Sequence, residues 1–265
     1  MISHCFSPMK SLPLHLLLCL LAVCTPTASA ITISQVNVGY SENFDTLAST
    51  GTSSLLPTGW AFSETGSNAN TTYTGGTGSS TTGDTYSFGA SGSSERAFGT
   101  LLTSSVASSI GTVIVNNTGS TLTQLTFSYY GEQWRLGATG REDRLDFAFS
   151  TDATSLSTGT WTANTALNFV APTTGPSVGA LDGNLAANRT FVTGSISSLN
   201  LATGGSLWIR WNDFGATGSD DGLAIDDFSV IAVQNQNVSV PDSLHTGIAF
   251  GAMLVLILAR RILSA

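Results

Sequence analysis

Histidine, cysteine and lysine are scarce in this 265-residue chain, and the few present stand near its ends. Cys5, Cys19 and Cys24, with His4, His15 and Lys10, fall in the first 30 residues, and His245 lies close to the other end. Between Ile31 and Ser239 none of the three residue types occurs. That excludes from this stretch a Ser-His-Asp triad, a Cys-His pair and a zinc site built on histidine or cysteine. It also excludes disulfides, on which small exported domains with thin cores depend. A span of about 200 residues can bury one large core instead.

Positive charge is scarce as well. From Ile31 to Ser239 there are six arginines against sixteen carboxylates, a net charge of −10. Without a basic stripe nucleic acid is not an expected partner, because neutralising phosphates supplies most of such affinity. An acidic surface rich in Ser, Thr and Gly suits an extracellular setting and a divalent cation held by oxygen ligands. Amphipathic helical periodicity is also missing outside the two ends.

What the sequence has is alternation of period two. Leu125, Phe127 and Tyr129 alternate with polar neighbours, as do Leu145, Phe147 and Phe149, and Leu207, Ile209 and Trp211. Further strands are expected at 31–38, 85–88, 96–101, 112–116, 190–196 and 223–232. Turn-forming clusters separate them, among them Asn116–Gly119, Gly137–Gly140, Asp182–Asn184 and Gly215–Asp221. Many short strands with such turns predict an all-β fold. The expectation is an antiparallel β-sandwich over residues 31–233, a jelly roll of the concanavalin-like kind. Gly66–Gly83, nearly all Gly, Ser, Thr and Asn, reads as a flexible surface loop, and Gln234–Ser239 as a polar spacer.

The two ends carry sorting information. Lys10, the apolar run Leu12–Val23 and the small residues Ala28-Ser29-Ala30 predict a helical secretory signal over residues 1–30, removed by signal peptidase. Cys24 follows Leu21-Ala22-Val23, but Val23 is too bulky for a lipidation motif, so Cys24 is expected to leave with the signal. Residues 240–265 comprise Val240-Pro241-Asp242-Ser243, an apolar run Leu244–Ala259 and the basic pair Arg260-Arg261. This layout resembles the PEP-CTERM group of bacterial sorting signals, closest to its VPDSG variant, with Leu244 where that variant has glycine. The resemblance implies an exosortase-type sorting enzyme as partner. It also implies membrane anchoring through a helix at 244–259, then display at the cell surface or release after processing. The apolar run is slightly shorter than the roughly 17–25 residues of a typical span. The two arginines are expected on the cytoplasmic side, leaving the domain outside.

The domain carries a resemblance of its own. Asn43-Phe44-Asp45 with Leu56-Pro57-Thr58-Gly59-Trp60 opens it, and Asp220–Val230, containing Ala224-Ile225-Asp226-Asp227-Phe228, closes it. These are similar to the opening and closing strands of MAM-type and related carbohydrate-module jelly rolls, although the MAM disulfides have no counterpart here. Gly131–Arg135 and Trp208–Phe214 also resemble segments of exported bacterial proteins.

Three candidate sites follow. Successive strand residues face opposite sides, so Asp227 shares a face with Leu223 and Ile225, and Asp226 with Phe228 and Val230. One carboxylate is then expected to point inward, and a buried charge needs a partner. Calcium held by Asp226 and Asp227, completed by Asp45 and by Asp220 or Asp221, is the structural cofactor expected; an arginine pair or a hydrogen-bonded strand end is the alternative. Glu132, Asp143 and Asp146 are the carboxylates available to a glycoside hydrolase. Nothing in their spacing singles out a catalytic acid, and no catalysis is expected. Trp208 and Arg210 share the face opposite Trp211, an indole beside a guanidinium that suits a sugar ring; the alternative is that Trp208 packs against a loop or the other sheet. The overall expectation is a non-catalytic surface or matrix protein acting by adhesion or structural contact, with carbohydrate binding as the second reading.

Overall fold

The computed structural model describes residues 29–233. All but the last two residues of the signal expected at 1–30, together with the spacer and the tail from Val240, lie outside the described residues. Among the described residues no helix is long and apolar enough to cross a membrane.

Among the described residues sixteen strands, numbered in chain order, form two sheets. In the first, β1 (Ile31–Ile33), β8 (Ala107–Asn116), β15 (Ser206–Asp213), β10 (Arg144–Ser150) and β11 (Thr162–Ala163) lie side by side. β4 (Trp60–Thr65) also pairs with β8, and β12 (Phe169–Val170) with β10. In the second, the order is β13 (Gly179–Ala180), β9 (Leu125–Leu136), β16 (Gly222–Ala232), β7 (Ala97–Leu101), β6 (Asp84–Phe88), β5 (Tyr73–Gly76) and β3 (Thr52–Ser53). There β14 (Arg189–Ile196) pairs with β9, and β2 (Gly39–Glu42) with β16.

The pairing is not wholly antiparallel as expected. β1 runs parallel to β8 and β5 parallel to β6, so both sheets are mixed. The remaining ladders are antiparallel.

Alternation explains why these residues pair and how they pack. Along β15, Leu207, Ile209, Trp211 and Asp213 are buried while Ser206, Trp208, Arg210 and Asn212 are partly exposed. The inward row of the first sheet meets that of the second in one aromatic core. Trp211 stacks on Trp60 at 6.2 Å and meets Tyr129, Phe147 and Phe228 edge-on at 5.2–5.9 Å. Tyr129 and Phe228 belong to the second sheet, so this one indole joins the two layers of a β-sandwich.

Two expectations change. Gly66–Gly83 is not one loop, because Tyr73–Gly76 forms β5, anchored by the fully buried Tyr73, whose hydroxyl donates to the Leu55 carbonyl at 2.9 Å. The alternation along β16 also breaks. Leu223, Ile225, Phe228 and Val230 all enter the main core, which strict period two forbids. The reason is a register shift between Asp226 and Ser229, with Asp227 in the left-handed region at φ 48°. Such a bulge inserts one residue and re-aims its neighbours. Neither aspartate points into the main core. Asp226 turns to the outer side of the second sheet and is buried there, and Asp227 is exposed.

Candidate functional site

The outer face of the first sheet carries a groove of about 450 Å³. Two adjacent strands build its floor, with Asp146 opposite Asn212 and Ala148 opposite Arg210. The small residues Ala148 and Gly111 flank Arg210 and leave room above the sheet. The segment between β10 and β11 folds across this room. Its Leu156 is buried, and the Leu156 carbonyl accepts from Arg210 Nη1 at 2.5 Å. Asp152 ties the segment together by accepting from the Ser150 hydroxyl at 2.7 Å and the Thr160 amide at 2.8 Å. At its end Trp161 lies over the Arg210 guanidinium, 3.9 Å from Cζ to the ring centroid. Burial lowers the Arg210 pKa, but the group stays cationic.

The opposite wall is a fixed polar array. Asp146 Oδ1 accepts from Arg144 Nε at 2.7 Å and from Asn168 Nδ2 at 2.8 Å, and Arg144 lies 3.6 Å over the Phe214 ring. Asn212 Oδ1 accepts from the Ser109 hydroxyl at 2.6 Å, which leaves the amide N–H donors of Asn212 for a ligand. An indole face held by a cation, beside pre-oriented carboxylate and amide groups, can stack on a flat apolar ring face and hydrogen-bond its hydroxyls. Of the pair expected from sequence, Arg210 lines this groove. Trp208 faces outward as the alternation requires, but it does not line the groove. Trp161 was not singled out by sequence reasoning. Its only signal is an isolated aromatic between Thr160 and Thr162 after a run of small polar residues.

The five aspartates expected to hold calcium are not gathered into one site. Asp45 Oδ1 accepts from the Arg96 amide at 3.1 Å, while Asp227 lines an open hollow with Ser41, Glu42 and Asn43. Asp220 accepts from the Ala216 amide at 2.8 Å. Asp221 is a staple, taking Gln133 Nε2 and the Gly137 amide at 2.7 Å each and Arg141 Nη2 at 3.2 Å. Burial raises the Asp221 pKa to about 6. The reason for the separation is distance along the chain, since Asp221 immediately precedes β16 and Asp226 is the fifth residue within it. The three carboxylates considered for hydrolysis are divided too. Glu132 belongs to β9 in the second sheet and Asp146 to β10 in the first. Asp143 is buried against Arg141 at 3.0 Å and accepts from the Asp221 amide at 2.8 Å.

Asp226, just ahead of the bulge and on the same outer face as Ala224, keeps different company. On the outer side of the second sheet, one carboxylate oxygen from each of Glu95, Glu132 and Asp226 lies within 4.8 Å of the others. Glu132 and Asp226 are almost completely buried. Burial, then the Glu95 charge, raises Glu132 to a pKa of about 7; burial, then the Glu132 charge, raises Asp226 to about 9. This is the one group among the described residues whose carboxylates are placed to share a metal ion. Beside it Tyr86, Phe88, Ala97, Leu101, Trp134 and Ala224 form a second, smaller apolar cluster.

No protein-family model matches the chain, and no curated protein matches it. Solved structures match loosely. TmCBM61 in complex with β-1,4-galactotriose is 12% identical, covering 52% of this chain and 71% of its own, with a TM-score of 0.28. The K3 cleaved adhesin domain of Lys-gingipain from Porphyromonas gingivalis is 12% identical, covering 52% and 75%, with a TM-score of 0.32. The CBM22-1-GH10 modules of Clostridium thermocellum xylanase 10B, complexed with xylohexaose, are 11% identical, covering 76% of this chain and 29% of theirs, with a TM-score of 0.31. Likeness at this level assigns neither ligand nor activity to this chain.

Proposed function

We propose that this chain is an exported recognition domain, non-catalytic and displayed outside the cell, which adheres by holding an extracellular polysaccharide in the groove beside Trp161. The observation that supports it is the groove's chemistry. Trp161 on Arg210 supplies a stacking face, and Asp146, Asn168 and Asn212 supply fixed hydrogen-bonding groups along one wall. The reading of adhesion and the reading of carbohydrate recognition thereby become one, with glycan contact as the adhesive event. The remainder comes from the sequence. Signal peptidase removes residues 1–30, an exosortase-type enzyme sorts the protein through Val240–Ser243, Leu244–Ala259 and Arg260-Arg261, and the sandwich is of the concanavalin-like jelly-roll kind.

A glycan array probed with the purified chain tests this proposal. Binding to a defined set of polysaccharides, abolished by Trp161→Ala with the melting temperature unchanged, supports it. Absence of binding across the array, or turnover of any polysaccharide lost on replacing Glu132 or Asp146, refutes it.

A further inference from the structure

We infer that Glu95, Glu132 and Asp226 form a calcium site on the outer side of the second sheet. The set differs from the five aspartates suggested by the sequence, sharing only Asp226, and it does not depend on the groove being a glycan site.

Three orphaned oxygens carry the inference. Glu95 Oε1, Glu132 Oε1 and Asp226 Oδ1 are each buried without a hydrogen-bond partner. Glu132 has no exposed surface and Asp226 only 5%. A buried carboxylate oxygen without a donor carries a desolvation cost that native folds avoid, and here three occur in one cluster. The nearest cation is inadequate. Arg189 Nη1 stands 3.9 Å from Glu132 Oε1, beyond hydrogen-bonding reach, and its guanidinium lies over the Tyr130 ring at 4.4 Å.

The donor set favours a large, hard ion. Carboxylate oxygens bind calcium at about 2.3–2.6 Å, so two ligands of one ion stand at most about 5 Å apart. One oxygen from each of the three carboxylates lies within 4.8 Å of the others, inside that span. Magnesium dehydrates reluctantly and keeps several waters, so a buried set of three protein carboxylates suits calcium better. The second oxygens are already held in place. Asn184 Nδ2 donates to Glu95 Oε2 at 2.5 Å, and Trp134 Nε1 donates to Glu132 Oε2 at 3.0 Å. Such outer partners orient metal ligands. The ligands come from the segment before β7, from β9 and from β16, so the ion ties three parts of the second sheet together. Its role is structural, and the regular register ahead of the bulge, with Ala224 opposite Glu132 and Asp226 opposite Tyr130, sets the third carboxylate on that outer face.

The experiment uses the full chain freed of metal by chelation, with calcium and terbium ions as probes. Because Trp134 is bonded to a ligand, indole excitation should give sensitised terbium emission that calcium displaces and magnesium does not. Calcium should also raise the melting temperature. Glu95→Gln, at the least buried ligand, and Asp226→Asn should each remove both signals. Trp134→Phe should abolish the emission and keep the calcium-dependent rise in melting temperature. Emission and melting unmoved by millimolar calcium overturn the site. So do signals that survive Glu95→Gln and Asp226→Asn but vanish with Asp45→Asn or Asp227→Asn. An equal response to magnesium overturns the assignment of the ion.

Discussion

Replacing Trp211 by alanine tests the two-layer core at its most connected point. The side chain is fully buried and touches Trp60 and Phe147 from its own sheet and Tyr129 and Phe228 from the facing one. Truncating a buried tryptophan costs about 3–5 kcal/mol, since the ring's transfer energy is lost and a cavity remains. Against a total of about 5–15 kcal/mol for a typical domain, the variant should sit near the edge of folding. Trp208, three residues earlier on the same strand, provides the control. It faces outward and is half-buried, so Trp208→Ala should cost about 1 kcal/mol. Urea denaturation followed by circular dichroism measures both, with unchanged slopes showing that the unfolded states are comparable. Equal losses for the two variants would refute the assignment of inward and outward faces.

Two further outcomes follow. At Gly131 a Cβ would fall 2.1 Å from ring carbons of the buried Phe169, so Gly131→Ala should destabilise by about 1–3 kcal/mol; an unchanged melting temperature would show that this approach is wrong. Asp213 is buried with its Oδ2 bound by Thr100 and Leu102, and burial raises its pKa well above the ordinary value, with the Asp143 and Asp220 charges adding to the rise. Its contribution to stability is therefore complete below about pH 4 and lost as pH rises through the raised folded value, whereas asparagine does not titrate. Asp213→Asn should gain on the natural chain by about 1.4 kcal/mol per pH unit over that window, and urea melts giving a pH-independent difference would contradict this.

The strands legible in the sequence are those whose alternation is simple. Leu207, Ile209 and Trp211 could be placed inward, and Trp208 and Arg210 outward, because one buried face leaves an unambiguous pattern. β5 was hidden because its pairing depends on Tyr73 alone among glycines and threonines, and a single anchor gives no period. The closing strand misled for a different reason. A bulge changes the parity of every residue beyond it, and nothing in Asp226-Asp227 announces a left-handed residue. The candidate sites were less legible still. Glu95, Glu132 and Asp226 meet only through strand order, and Trp161 reaches Arg210 only because the segment before it folds back over Gly111. Spacing along the chain records none of these meetings.

The central claim is that the groove beside Trp161 holds a glycan, and fluorescence titration of the chain with polysaccharides that bind on an array tests it most directly. Stacking of a sugar on Trp161 should shift the tryptophan emission saturably. The shift and the binding should both disappear in Trp161→Ala, and both should persist in Trp208→Ala. Full binding by Trp161→Ala, or loss confined to Trp208→Ala, would contradict the claim.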